Sequence, residues 1–83
     1  MGMNATQLIK MANQIGDFFA SQPDPQQSRD DFAQHLRRQW DPQMRVALYA
    51  HLDASGGEGL SAFVVEAMRT RRDQVEPLAA RAV

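Results

Sequence analysis

Cysteine does not occur in this 83-residue chain. Its absence excludes disulfide staples, thiolate zinc sites, cysteine-held iron–sulfur clusters and thiol nucleophiles. A secreted domain of this size usually needs such staples to hold a thin core together, so a reducing cytoplasm is the expected compartment. Also missing is any apolar run near the ~20 residues of a membrane span, so no membrane association is expected. No basic stretch followed by an apolar one opens the chain, as it would in a signal peptide. Met1-Gly2-Met3-Asn4-Ala5-Thr6 fits the loose N-myristoylation pattern, but Met1-Gly2 reads as a cloning addition ahead of a start at Met3. Charge of one sign is lacking too. The net charge of −1 gives no global attraction to nucleic acid or anionic lipid.

What is present is an ordinary globular composition, 43% hydrophobic and 23% charged, which separates the chain from disordered sequences. Its apolar residues recur with helical spacing, and no segment alternates as a half-buried strand must. Asn4 followed by Gln7 is a capping-box signal, and Leu8, Met11, Ala12, Ile15, Phe18 and Phe19 predict a helix over about 5–20. Asp24-Pro25 and Asp41-Pro42 each pair a cap with a proline suited to the first helical turn. The first opens a helix carrying Phe32, Ala33, Leu36 and Trp40 on one face. The second opens a helix with Met44, Ala47, Leu48 and Leu52, closed by Ser55-Gly56-Gly57. Ser61 caps a fourth helix, with Leu60 stapled to Val65 and a stripe of Phe63, Val64, Ala67, Met68 and Val75. Pro77 and the residues after it read as a frayed tail. The expected fold is all-α, a small bundle of about four helices in a single domain over 1–83, its ordered core spanning about 4–75.

Enzymatic chemistry finds little footing. His35 and His51 lie on different expected helices, without the i, i+4 pairing that makes a metal motif specific, so no metal ligands are expected. Ser21, Ser28, Ser55 and Ser61 sit at helix ends and loops, where a hydroxyl caps the backbone, and no G-x-S-x-G elbow occurs. Gly56-Gly57-Glu58-Gly59 lacks the order and the lysine of a phosphate loop, and Glu58 would repel an anion. It reads as a helix–helix turn that presents Glu58 to a partner's cation. No catalytic, metal or cofactor-binding residue is expected in this chain.

The arginines are more informative. Lys10 is the only lysine, while Arg37, Arg38 and Arg45 surround Trp40, and Arg69, Arg71 and Arg72 form a second cluster. Arginine and tryptophan together mark interface hot spots, because guanidinium forks and aromatic area both favour binding. For Trp40 taken alone, the reading as a core anchor comes ahead of the interface reading. Asn13 and Gln14 border an apolar stripe, where an amide either pairs across an interface or points to water. The candidate partner-binding residues are therefore Asn13, Gln14, Arg37, Arg38, Trp40, Arg45 and Glu58.

Three stretches resemble one family. They are Leu8 to Phe19, His35 to Arg45, and His51-Leu52-Asp53-Ala54-Ser55-Gly56-Gly57-Glu58-Gly59-Leu60-Ser61. Together, over roughly 4–75, they are similar to the delta subunit of bacterial NAD-dependent formate dehydrogenase. Ala62 stands where that pattern would have proline, and the loop over 22–28 looks variable in length. The resemblance implies a cytoplasmic multi-subunit enzyme that oxidises formate. A molybdenum pterin and iron–sulfur clusters would lie in its large subunit, and flavin in another partner. This chain would then be a non-catalytic accessory docked on the catalytic large subunit, supporting assembly or stability. Two other roles compete. One is a maturation chaperone that transiently binds the immature large subunit or its pterin. The other is a small DNA-binding regulator, which the net charge and Asp41 oppose, so no nucleic acid is expected. With Phe18, Phe19, Phe32 and Phe63 on a thin core, the isolated chain could form a homo-oligomer.

Overall fold

A computed structural model of the chain describes residues 4–77. The readings of Met1-Gly2 and of the tail after Pro77 lie outside these residues. The fold is all-α. Four principal helices, α1 (Ala5–Ala20), α2 (Pro25–Gln39), α3 (Pro42–Ser55) and α4 (Ala62–Thr70), are followed by a single-turn α5 (Arg72–Val75).

Each long helix starts where a side chain can accept from a free N–H group. The Oδ1 of Asn4 accepts from Gln7 N at 2.9 Å, and that of Asp41 accepts from Met44 N at 2.9 Å. Asp24 caps two amides, those of Gln26 and Gln27, and Ser61 accepts from Val64 N. At the other end of α3, Gly56 takes the left-handed conformation, φ +74°, that glycine adopts without a Cβ penalty.

The core is built from one stripe of each helix: Leu8 and Ala12, Phe32 and Leu36, Leu48 and Leu52, Val64 and Met68. Three expectations change. Phe18, expected on the buried stripe of α1, is 68% exposed. The buried line of that helix runs Leu8, Ala12, Gly16, and a residue two positions beyond Gly16 points about 200° away from it. The fourth helix, expected to carry Val75 on its own stripe, breaks at Arg71, whose φ of −117° leaves the helical range. The break swings α5 back over the bundle, so Val75 reaches the core at 1% exposure.

Tyr49, absent from the expected stripe of α3, is buried at its centre, while Ala47 lies exposed. The Tyr49 hydroxyl donates to the Met68 carbonyl at 2.8 Å. That carbonyl belongs to the last turn of α4, where a helix end leaves acceptors without intrahelical partners.

Candidate partner-binding surface

Arginine at three positions is committed to holding the bundle together. The Arg72 guanidinium forks onto Asp53 of α3, at 2.9 and 2.7 Å, and onto Glu76, at 2.9 Å to each oxygen. It also lies over the Tyr49 ring, 4.8 Å from its centroid. Hydrogen bonds donated to Asp53 and Glu76 hold the Arg72 pKa above the ordinary arginine value, and the same bonds from Arg72 hold the Asp53 carboxyl below the usual carboxylate range. Arg71 pairs with Asp30 of α2 and donates to Gln26 Oε1 at 3.0 Å. Arg45 donates to the Val75 carbonyl at 2.8 Å, while its Nε is buried without a hydrogen-bond partner. The bias towards arginine thus has an internal cause at positions 45, 71 and 72, where a guanidinium reaches across to another element of the fold.

Arg37 and Arg38 are different. Both are exposed in the last turn of α2, where the helix dipole favours cations, and neither has an ion pair among the described residues. Adjacent positions on a helix diverge by about 100°, and the two arginines serve separate surfaces. Arg37 borders a cleft of about 440 Å³ with Arg45, Asp73, Gln74, Glu76 and Pro77. Arg38 borders a groove of about 280 Å³ together with Phe19, Asp31, His35 and Gln39. Trp40, between them and Arg45 in sequence, is 5% exposed and packs in the core as the C-cap residue of α2.

Asn13 is occupied within the fold. Its amide donates to the Gly59 carbonyl at 2.9 Å and accepts from Ser61 N at 2.9 Å, stitching α1 to the loop before α4. On the other side of that loop, His51 Nε2 donates to the Glu58 carbonyl at 2.6 Å, and Ser55 Oγ accepts from Glu58 N at 3.0 Å. The loop is held from two helices, and the Glu58 side chain stands exposed on it. Gln14, next to Asn13, faces out beside a second groove of about 310 Å³, lined also by Ile15, Phe18, Phe19 and His35. Phe18 and Phe19 meet edge to face at 5.1 Å, and Phe19 lies 5.8 Å from the His35 ring. The candidate residues therefore fall in three places: Gln14 and Arg38 on the α1–α2 face, Arg37 and Arg45 at the cleft by α5, and Asn13 and Glu58 at the loop. Trp40 stands apart from all three, inside the core.

Comparison with known protein families matches residues 7–68 to the NADH-dependent formate dehydrogenase delta subunit FdsD. The chain belongs to this delta-subunit family. No curated protein and no solved structure matches it.

The span shared with the delta-subunit family runs from the first turn of α1 into α4. It contains all seven candidate residues and ends before Arg71, Arg72 and α5. The family pattern thus covers the caps of α2, α3 and α4 and the loop stitched by Asn13, while Asn4 at the start of α1 and the Arg71–Arg72 latch that folds α5 onto the bundle lie outside it. Among the described residues, no three His, Asp or Glu side chains converge as metal ligands. No described helix is long and apolar enough to cross a membrane.

Proposed function

We propose that the chain is a non-catalytic accessory subunit of a cytoplasmic, molybdenum-containing formate dehydrogenase, docked on the catalytic large subunit and supporting its assembly or stability. The observation that carries this reading is the family match over residues 7–68. In this reading the chain holds no cofactor of its own, and formate oxidation and NAD reduction proceed in other subunits. Among the described residues, the side chains left free for a partner are Gln14, Arg37, Arg38 and Glu58; Trp40 acts indirectly, by fixing the end of α2 that displays both arginines. Arg37 is the leading contact. Its guanidinium has no ion pair among the described residues and lies at the rim of a cleft, where a carboxylate from the large subunit would take it bidentately.

The test is co-expression of the tagged chain with the other formate dehydrogenase subunits, followed by size-exclusion chromatography. A fixed ratio to the large subunit in active enzyme supports a permanent accessory role. Retention only on cofactor-free large subunit replaces that role with a transient chaperone, and no co-elution overturns both. Arg37→Glu is expected to weaken retention about tenfold or more by reversing a charge at the contact.

A further inference from the structure

We propose that the α1–α2 face is a self-pairing surface, which joins two copies of this chain about a two-fold axis. The argument starts from charge. Asp31 and Arg38 line the same groove on α2, seven residues and so about 10 Å apart along the helix. Arg38 has no ion pair among the described residues, and Asp31 uses Oδ1 to accept from Gln27 at 2.8 Å, which leaves Oδ2 for a cation. An acid at one end of a helical stripe and a base at the other form a pattern that is its own complement when reversed. With α2 laid antiparallel to α2 of a second copy, Asp31 faces Arg38 of that copy and Arg38 faces its Asp31. Gln34 and His35 then meet at the axis. This is the isologous arrangement that closes at two subunits.

The apolar part of the face agrees. Phe18, 68% exposed, stands on Phe19 beside a groove floored by Ile15 and His35. That groove and the one holding Asp31 and Arg38 share Phe19 and His35, so the pair that joins the charges also covers the aromatic edge. A rim of complementary charge around a buried aromatic is the anatomy of a protein interface. The net charge of −1 adds little repulsion between copies. Pro77 borders the Arg37 cleft and not this face, so the two surfaces are separate. A pair would present two such clefts outward.

Sedimentation velocity of the full chain over a concentration series tests this. The wild type is expected to dimerise reversibly. Asp31→Arg alone and Arg38→Asp alone should each raise the dissociation constant about tenfold or more, because like charges then face each other twice. An equimolar mixture of the two variants should recover dimer through the mixed pair, in which both contacts again join unlike charges. The double variant, with both charges exchanged, should recover it fully. Phe18→Ser should weaken pairing without changing the helical circular dichroism. A chain that stays monomeric to about 1 mM overturns the proposal. So does a dimer indifferent to the charge reversals, or a double variant that fails to recover.

Discussion

Tyr49 is capped on two sides, by the end of α4 and by the start of α5: its hydroxyl donates to the Met68 carbonyl at 2.8 Å, and Arg72 lies over its ring at 4.8 Å. One side chain of α3 thereby fixes both the stop of α4 and the return of α5. The neighbouring Arg45 adds a third tie from α3, through the Val75 carbonyl.

This position sets an alkaline limit on stability. Burial pushes the Tyr49 phenol well above its ordinary value, and the nearby Arg72 offsets only part of that. The unfolded chain ionises near ~10, so the stabilisation is complete below that pH. Above it stability falls, by up to about 1.4 kcal/mol per pH unit. Tyr49 is the only tyrosine, so phenolate absorbance reports it alone. Phenolate should appear only together with loss of helical circular dichroism. A phenolate that titrates near ~10 in a fully helical protein would sink the idea. Tyr49→Phe should remove the alkaline limb and cost about 1–2 kcal/mol at neutral pH.

Asp53 predicts the acid side. Its hydrogen bonds from Arg72 lower its folded pKa, so its contribution is present above the unfolded value of ~3.9 and is lost as pH falls through the folded one. Because the carboxylate is exposed, the effect is modest, on the order of a few tenths of a kcal/mol. Melting curves of Asp53→Asn against wild type should differ slightly at neutral pH and converge at the acid end. A gap that widens with acid would contradict the assignment.

The helix starts were legible because their chemistry is local. Asn4, Asp24, Asp41 and Ser61 each cap an amide within three residues, and sequence neighbours suffice to find them. The break at Arg71 was not, because its partners Asp30 and Gln26 lie on α2. Tyr49 escaped for a similar reason: its burial depends on an acceptor that exists only once α4 has ended. The site divides the same way. The arginine excess suggested an interface, but composition cannot separate Arg37 and Arg38, which have no ion pair among the described residues, from Arg45, Arg71 and Arg72, which tie elements together.

Gly16 is a further consequence of packing that sequence spacing conceals. A Cβ at this position would come 2.6 Å from Val64 Cγ2, on a valine that is fully buried. Valine is stiff about χ1 and has little freedom to turn away. Gly16→Ala should therefore destabilise by about 1–3 kcal/mol, although alanine favours a helix by ~1 kcal/mol over glycine. Adding Val64→Ala should restore part of that loss, giving a measurable coupling in a double-mutant cycle from denaturant melts. Strict additivity would mean that α1 and α4 are not in contact there.

Asn13 links the fold to the proposed docking. Its two hydrogen bonds hold the Gly59 carbonyl and the Ser61 amide to α1, and Glu58 is displayed on the segment they brace. Asn13→Ala removes both bonds and should cost about 1–3 kcal/mol. Hydrogen exchange at the Ser61 amide should quicken more than exchange at the Leu36 amide inside α2, because the loss is local before it is global. If Glu58 contacts the large subunit, the same variant should weaken co-elution, and Glu58→Gln should do so with exchange at Ser61 unchanged. Faster exchange with full retention of the complex would confine Asn13 and its loop to a structural role and leave docking to the Arg37 cleft. Unchanged exchange at Ser61 would show that His51 and Ser55 alone hold the loop.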